Sequence, residues 1–300
     1  MKLEGILPPL TVPFGADGSV DHLKLRANID RYNRTRVSGY VLNGSTGESV
    51  LMRWEEIYGM WEIARDAAAS GRILIAGTGA ESTSETIEHT NRAASLGFDF
   101  ALLRTPSFYK PALSDDLQAE HYIRVADAAK IPVLVYSVPI FTAYTVEAPL
   151  LGRVASHPNI MGIKDSSGNV PRIAEFRAVV PKDFAIMCGS PSSLVGSLDK
   201  GADGGVLALA CALPELCCEI YNAFRAGDSA RADSVQGKLT AAAATIAAKY
   251  GIPGLKYALD QLGYFGGQPR RPLLPLNDAG RQEIDALIPS LAVAPASAGR

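Results

Sequence analysis

Short apolar runs recur at nearly regular intervals along the first two-thirds of the chain, and polar, helix-like stretches fill the gaps between them. Runs such as Ile73-Leu74-Ile75-Ala76 are apolar at every position, which is typical of parallel strands covered by helices on both faces. Their spacing of roughly 30 residues matches successive βα units. The pattern predicts strands at 6–14, 39–46, 72–79, 100–106, 132–139, 161–167, 184–190 and 204–210.

Capping residues predict where the intervening helices begin and end. Asp21, Ser82 and Ser114 stand at expected N-caps, and Glu85 completes a capping box with Ser82. Pro171 occupies a plausible first helical position, and Gly97 and Gly201 are suited to ending helices.

Strands that alternate with helices predict either a closed (β/α)8 TIM barrel or an open doubly wound sheet. We favour the barrel, because it uses all the predicted strands and no switch-point phosphate loop is present. After residue 210 the pattern changes to helices without strands, at 214–226, 229–249, 254–262 and 278–287. We therefore expect a barrel domain at 1–212, a C-terminal helical extension at 213–293 and a disordered tail at 294–300.

Composition narrows the class of protein. Of 300 residues, 47% are apolar, which is enough for a large core. A net charge of −2 argues against a nucleic-acid binder or a membrane-surface protein, and no apolar run approaches the ~18 residues of a membrane span. Glu4 interrupts any signal-peptide pattern, and four cysteines in so long a chain do not suggest a disulfide framework. We expect a cytoplasmic protein.

Cofactor motifs are missing from the sequence. The histidines and cysteines show no metal-ligand spacing, so we expect no catalytic metal. No Gly-x-Gly-x-x-Gly or phosphate loop follows a predicted strand, so we expect no bound nucleotide and no cofactor.

The predicted sixth strand ends in Gly162-Ile163-Lys164-Asp165, where a lysine directly follows apolar residues. Buried lysines are rare because the desolvation of an ammonium group is costly. Burial favours the neutral amine, which is the form that attacks a ketone to give a Schiff base. The alternative is a lysine whose charge reaches solvent beside Asp165. We favour the nucleophile because of the residues at the other strand ends.

Carboxyl ends of barrel strands carry the chemistry in this type of fold. The second strand ends in Gly44-Ser45-Thr46-Gly47-Glu48, whose hydroxyls and backbone N–H groups could bind a substrate carboxylate. The alternative is an ordinary helix cap at Thr46, with Glu48 facing the helix dipole.

The other strand ends carry a tyrosine that could transfer protons and small residues that could leave room for a ligand. Alternation places Tyr136 near Lys164, where it could move protons, although a core tyrosine with a satisfied hydroxyl is the alternative. Gly162 would leave space beneath the lysine. Ser190 would leave room for a ligand, and Leu207 belongs to an apolar wall.

These motifs, in this order and spacing, resemble the dihydrodipicolinate synthase / N-acetylneuraminate lyase family of class I aldolases, from about residue 7 to residue 276. The resemblance implies a Schiff base between Lys164 and pyruvate or another 2-oxo acid, with an aldehyde as the second small-molecule partner. It implies that Tyr136 gives and takes protons, and that Ser45 and Thr46 hold the carboxylate. It also implies that Leu207 lines the site through its backbone, and that the chain forms a homotetramer, a dimer of dimers.

Several stretches look most like 4-hydroxy-2-oxoglutarate aldolase within that family. They are Tyr136-Ser137-Val138-Pro139, His157-Pro158-Asn159-Ile160, and the segments 79–83 and 251–256. We therefore predict cleavage of a 4-hydroxy-2-oxo acid to pyruvate and an aldehyde. The alternatives are dihydrodipicolinate synthesis and dehydration of a sugar-derived acid.

Three positions depart from the family pattern or interrupt a strand. Phe141 stands where dihydrodipicolinate synthases carry an arginine that binds the aldehyde's carboxylate. Phe108 stands where the family has a tyrosine lent by the neighbouring subunit, so Tyr109 or water would have to replace it. Arg104 interrupts an apolar strand and either binds a second substrate carboxylate or forms an ion pair with a neighbouring loop or subunit. Phe108 and Phe141 also leave open a non-catalytic protein that binds 2-oxo acids. A metal-dependent aldolase is disfavoured by the missing ligand cluster.

Overall fold

Eight parallel strands form the centre of the computed structural model, which describes residues 2–291. Their order in the sheet is β1-β8-β7-β6-β5-β4-β3-β2. Backbone hydrogen bonds from Ser38 N–H to Ile6 O (2.8 Å) and from Val41 N–H to Pro8 O (3.0 Å) join the two edges. The predicted (β/α)8 TIM barrel is therefore confirmed. The strands are β1 (Gly5–Leu7), β2 (Gly39–Leu42), β3 (Ile73–Gly77), β4 (Phe100–Arg104), β5 (Val133–Ser137), β6 (Ile160–Asp165), β7 (Ala185–Cys188) and β8 (Gly204–Val206).

Each predicted strand is present, but the predictions run too far at the carboxyl ends. The first was expected over 6–14 and ends at Leu7. Leu10, Val12 and Phe14 beyond it are buried, at 2%, 0% and 3% exposure, although they lie in a loop. An apolar run indicates that residues are buried, but it does not indicate that they pair in a sheet. Loops at the barrel mouth are buried because they fold back over the core.

The helices begin where the capping residues predicted. Asp21 accepts a hydrogen bond from Lys24 N–H, Ser82 from Glu85 N–H and Ser114 from Leu117 N–H. Gly97 and Gly201 have φ values of 78° and 100° just beyond their helices, a conformation that favours glycine. The helices of the barrel are α1 (His22–Tyr32), α2 (Trp54–Ala67), α3 (Thr83–Ser95), α4 (Asp115–Ala128), α5 (Pro139–Thr142), α6 (Ala148–Val154), α7 (Val170–Val179) and α8 (Leu194–Asp199).

The last part of the described chain is helical, as predicted. It contains α9 (Pro214–Arg225), α10 (Ser229–Ala242), a π-helical stretch (Ala243–Lys249), α11 (Gly251–Gln261) and α12 (Asp278–Leu287). Leu255 of α11 belongs to the same hydrophobic cluster as Leu42 of β2, so the extension packs into the barrel's own core. The boundary between 212 and 213 stays a prediction, and the expected tail at 294–300 lies outside the described residues.

The barrel interior has its own hydrophobic cluster, which includes Leu134 and Tyr136 of β5. The predicted alternation along this strand is thus confirmed. The space expected beneath Lys164 is not there, however. A Cβ atom on Gly162 would lie 2.8 Å from Ala185 O and 3.0 Å from a Leu134 methyl carbon. Glycine is used here for close packing, and the prediction of free space was wrong.

Candidate active site

Lys164 lies near the carboxyl end of β6, in register with Tyr136 of β5 and Met187 of β7. Its side chain is buried, at 4% residue exposure, and its amine lies 4.3 Å from the centroid of the Tyr136 ring. Within residues 2–291 it has no salt bridge and no hydrogen bond. Asp165, also buried, instead accepts a hydrogen bond from the Ser167 hydroxyl. A solvated charge beside Asp165 is therefore not observed.

Tyr136 connects Lys164 to the loop after β2. Its side chain is buried, and its hydroxyl lies 3.4 Å from the Ser45 hydroxyl oxygen, where either group could donate. The Tyr136 side chain therefore contacts both the Lys164 amine and the Ser45 hydroxyl. Two hydroxyls beside an unpaired amine can pass protons to and from a molecule attached to that amine.

Residues Ser45–Gly47 form a single 3₁₀ turn rather than the start of an α-helix. Gly47 N–H donates to Gly44 O at 3.0 Å, so this amide is already used within the turn. The amides of Ser45 and Thr46 stand at the start of the turn, where helical geometry leaves donors without internal partners. A Cβ atom on Gly47 would lie 3.0 Å from Leu10 O, so this glycine allows close packing. The predicted binding of a carboxylate by Ser45, Thr46 and Gly47 stays a prediction.

One interpretation of the sequence placed Glu48 at the start of a helix, facing the helix dipole. The structure does not show this arrangement. Glu48 adopts a left-handed conformation (φ 59°), is buried, and forms an ion pair with Lys256 of α11 at 2.5 Å. The helix α2 begins only at Trp54. Sequence analysis missed Lys256. The available signal was a lysine on the apolar face of α11, three positions before the buried Leu259.

Arg104, at the end of β4, forms an ion pair with Glu81 at 2.6 Å. The other oxygen of Glu81 accepts backbone N–H groups of Ser107 and Phe108, both at 2.9 Å. Burial raises the pKa of Glu81, but these N–H groups and Arg104 outweigh it and hold the pKa below its ordinary value. Arg104 thus forms an ion pair with a neighbouring loop, and its predicted contact with a second substrate carboxylate stays a prediction.

A cavity of about 240 Å³ opens at the carboxyl end of the strands. Ser45, Tyr136, Arg104 and Glu81 line it, whereas Lys164 does not. Tyr136 therefore joins the cavity to the buried amine, since its ring contacts that amine.

Ser190 and Leu207 lie at the ends of the next two strands. Ser190 follows β7 and lies near Gly168, where a Cβ atom would be 3.4 Å from its hydroxyl oxygen. Leu207 follows β8 and is buried; its N–H donates to Leu7 O at 3.3 Å and its carbonyl accepts from Ala210 N–H at 2.9 Å. The roles predicted for both residues stay predictions.

Phe108 and Phe141 are both exposed, at 76% and 66%. Phe108 packs edge-on against Tyr109, which is 74% exposed, with 5.1 Å between ring centroids. Phe141 lies in the short helix α5 after β5. Neither ring is part of the hydrophobic core, so both are available for contacts near the barrel mouth.

Residues 2–291 contain neither a metal-ligand cluster nor a membrane-spanning helix. Over that range, no three His, Cys, Asp or Glu side chains are grouped so that they could hold a metal ion. None of the helices in the described part is long and apolar enough to cross a membrane. Cys188, Cys211, Cys217 and Cys218 are free and buried.

A buried, unpaired lysine at a barrel strand end, beside tyrosine and serine hydroxyls, defines an enzyme of the class I aldolase/lyase type. Comparison with known proteins agrees with this enzyme class and also identifies the family. The chain belongs to the dihydrodipicolinate synthetase family, whose model matches residues 2–291.

Two relatives are both named 4-hydroxy-tetrahydrodipicolinate synthase. That of Methanothrix thermoacetophila is 34% identical over 283 residues, covering 93% of this chain and 94% of its own. That of Anaplasma marginale (strain Florida) is 31% identical over 291 residues, covering 97% and 96%. The comparisons support the family but not the closer likeness to 4-hydroxy-2-oxoglutarate aldolase.

Solved structures of the family superpose closely. The chloride-inhibited dihydrodipicolinate synthase of Acinetobacter baumannii, in complex with pyruvate, is 28% identical with a TM-score of 0.92 and covers 97% of this chain and 99% of its own. YagE, a prophage protein of the same family from E. coli K12, also in complex with pyruvate, is 26% identical with a TM-score of 0.91, covering 96% and 98%.

Proposed function

We propose that this enzyme binds pyruvate as a Schiff base on Lys164 and joins it to an aldehyde. The observation that supports the proposal most strongly is the Lys164 amine, which is buried, without a salt-bridge partner in the described chain, and 4.3 Å from the Tyr136 ring. Two related structures were solved with pyruvate, which is consistent with a 2-oxo acid here.

The reaction requires a sequence of proton transfers. The neutral Lys164 amine attacks the ketone carbon of pyruvate, and the resulting carbinolamine loses water to give an imine. The protonated imine withdraws electrons, so the pyruvate methyl group can lose a proton. This loss converts the imine to an enamine. The enamine carbon attacks the aldehyde carbon, a carbon–carbon bond forms, and the aldehyde oxygen takes up a proton. Water then hydrolyses the imine and restores the amine.

Side chains at the mouth would carry these protons and hold the substrate. Tyr136 is the proposed proton donor and acceptor, since its ring touches the Lys164 amine and its hydroxyl approaches Ser45. The hydroxyl of Ser45 and the amides of Ser45 and Thr46 are the proposed ligands of the pyruvate carboxylate. Such fixed donors are more effective in a buried site than in water.

For the aldehyde, 4-hydroxy-tetrahydrodipicolinate synthesis is the first candidate, because relatives that match nearly the whole chain carry that name. This cyclic product corresponds formally to pyruvate and aspartate 4-semialdehyde joined with loss of one water. The co-substrate proposed is therefore this amino-acid aldehyde, which carries a carboxylate of its own.

One observation favours a second candidate, the cleavage of a 4-hydroxy-2-oxo acid. Phe141 occupies the position at which the resemblance implies an arginine for the aldehyde's carboxylate. A charge-assisted hydrogen bond contributes about 1.5–3 kcal/mol, so its absence would weaken binding of aspartate 4-semialdehyde. In 4-hydroxy-2-oxoglutarate the second carboxylate is attached directly to the hydroxyl-bearing carbon, so it lies closer to the imine than the carboxylate of aspartate 4-semialdehyde and does not require a cation at the same place.

The proposal includes a homotetramer built as a dimer of dimers, as the resemblance implies. Phe108 and Tyr109 support an interface near the mouth, because two adjacent aromatic rings at 76% and 74% exposure are unusual outside a contact surface. Sedimentation velocity would measure the assembly directly.

The experiment is borohydride reduction in the presence of pyruvate, followed by mass spectrometry of the peptide that contains Lys164. We expect a reduced pyruvate adduct on Lys164 and none in Lys164→Met. A wild-type peptide that stays unmodified would refute Schiff-base chemistry. Rates of aspartate 4-semialdehyde condensation and of 4-hydroxy-2-oxoglutarate cleavage, measured side by side, then separate the two candidates. An adduct without either turnover would indicate a protein that only binds 2-oxo acids.

A further inference from the structure

Lys256, in the helical extension, is tied to the loop that carries Ser45 and Thr46. Its residue exposure is 1%, and its amine lies 2.5 Å from a Glu48 carboxylate oxygen. The same amine donates to Gln268 O at 2.8 Å and lies 4.4 Å from the centroid of the Phe14 ring. A buried lysine in α11 thus reaches the segment that follows β2.

The extension holds this segment at further points through Arg270. Its backbone N–H donates to the second Glu48 oxygen at 2.7 Å. Its guanidinium donates to both oxygens of Glu56, at 2.6 Å and 2.7 Å, and to Leu51 O at 3.1 Å. Both oxygens of Glu48 are therefore bound by residues of the extension, and the chain just after Glu48 is bound as well.

Glu48 in turn fixes the turn that precedes it. Its N–H donates to Ser45 O at 3.1 Å and closes the Ser45–Gly47 turn. Its φ of 59° is costly for a residue with a side chain and persists only where surrounding contacts enforce it. Lys256 and Arg270 supply those contacts to the Glu48 carboxylate.

We propose that Lys256 is a positioning residue for the carboxylate of the 2-oxo acid, acting through Glu48 on the Ser45–Gly47 turn. This inference rests on the proposed function, because it concerns how tightly that site holds pyruvate. Lys256 itself would touch neither substrate nor Lys164. Without it, the Glu48 carboxylate would be buried and unpaired, the left-handed conformation would relax, and the amides would lose their common direction.

A merely stabilising ion pair is the competing explanation, and it makes a different prediction. Loss of general stability would weaken the reaction of Lys164 with every ketone equally. Loss of the carboxylate site would weaken the reaction with pyruvate and spare a ketone that has no carboxylate. Hydroxyacetone is such a ketone, because it keeps a reactive carbonyl group next to a hydroxymethyl group.

The test compares half-saturation of borohydride trapping for pyruvate and for hydroxyacetone in Lys256→Met, Glu48→Gln and the double variant. Lys249→Met is the matched control, because Lys249 lies in the same extension but pairs with Glu283 at the surface. We expect the pyruvate value to rise about tenfold in both single variants, with the hydroxyacetone value within about threefold of wild type. The control should match wild type for both ketones.

Each other outcome is informative. Equal changes for the two ketones, or no change, in variants that fold would overturn the inference and leave the proposed function standing. A wild-type protein that traps no pyruvate would overturn both. If Lys256→Met does not fold, as judged by circular dichroism, Glu48→Gln decides, because it keeps the side chain's size and an oxygen for Arg270 N–H.

Discussion

Removal of the Tyr136 hydroxyl alone, in Tyr136→Phe, would leave the ring against the Lys164 amine and the barrel core intact. The hydroxyl has a long contact of 3.4 Å with Ser45, so its loss should cost the fold under about 1 kcal/mol. General acid–base groups contribute about 10²–10⁴-fold to rate. We expect kcat to fall about 10²-fold or more, equivalent to at least about 2.7 kcal/mol of activation free energy. The assay is turnover at saturating pyruvate.

Borohydride trapping separates the proton-transfer role from a role in binding. The Lys164 adduct with pyruvate should still form in Tyr136→Phe, because the amine and the Ser45 turn are unchanged. Tyr122→Phe is the control, since it removes a buried hydroxyl that donates to Leu103 O at 3.2 Å. It should lose about 1 kcal/mol of unfolding free energy and keep its kcat. A Tyr136→Phe enzyme with kcat within threefold of wild type would refute the proposed proton path.

Three further predictions concern other parts of the chain. Phe141→Arg should raise kcat/KM for aspartate 4-semialdehyde at least about tenfold, and unchanged kinetics would show that residue 141 does not meet its carboxylate. Gly162→Ala should cost about 1–3 kcal/mol in urea unfolding because of the close Ala185 carbonyl, whereas Gly237→Ala, with open space on α10, should be neutral or stabilising. Burial lowers the pKa of His121 to about 4, so its neutral form stabilises the fold fully above pH 6.5, and that contribution is lost as pH falls towards 4. Between pH 7 and pH 4.5 the wild-type protein should therefore lose up to about 3 kcal/mol more unfolding free energy than His121→Gln. Equal losses in the two proteins would contradict this.

The parts of the fold that sequence analysis predicted are those with local signals. Strand positions follow from apolar runs, and helix starts follow from side chains such as Asp21 and Ser114, whose partners lie three residues away. Lys164 could be identified because a charge after an apolar run is unusual wherever it occurs. Strand ends could not be placed, because buried loop residues such as Leu10 have the same composition as strand residues.

The parts that could not be predicted depend on residues far apart in the chain. The ion pair of Arg104 depends on Glu81, which lies after a different strand. The room expected at Gly162 depended on the positions of the Ala185 carbonyl and the Leu134 side chain of the neighbouring strands. In both cases the unusual residue could be recognised in the sequence, but its contacts depend on tertiary packing.

The proposed carboxylate site illustrates why a sequence motif is an incomplete description of affinity. Backbone amides are supplied by every residue except proline, so the residues at 45 and 46 mark the site without fixing the direction of its donors. We propose that this direction follows from the left-handed Glu48, which is bound by Lys256 and Arg270 of the extension. A relative with the same turn sequence but an altered contact in α11 should therefore differ in affinity for pyruvate more than in kcat, because the Lys164 amine and the Tyr136 hydroxyl are positioned by the strands.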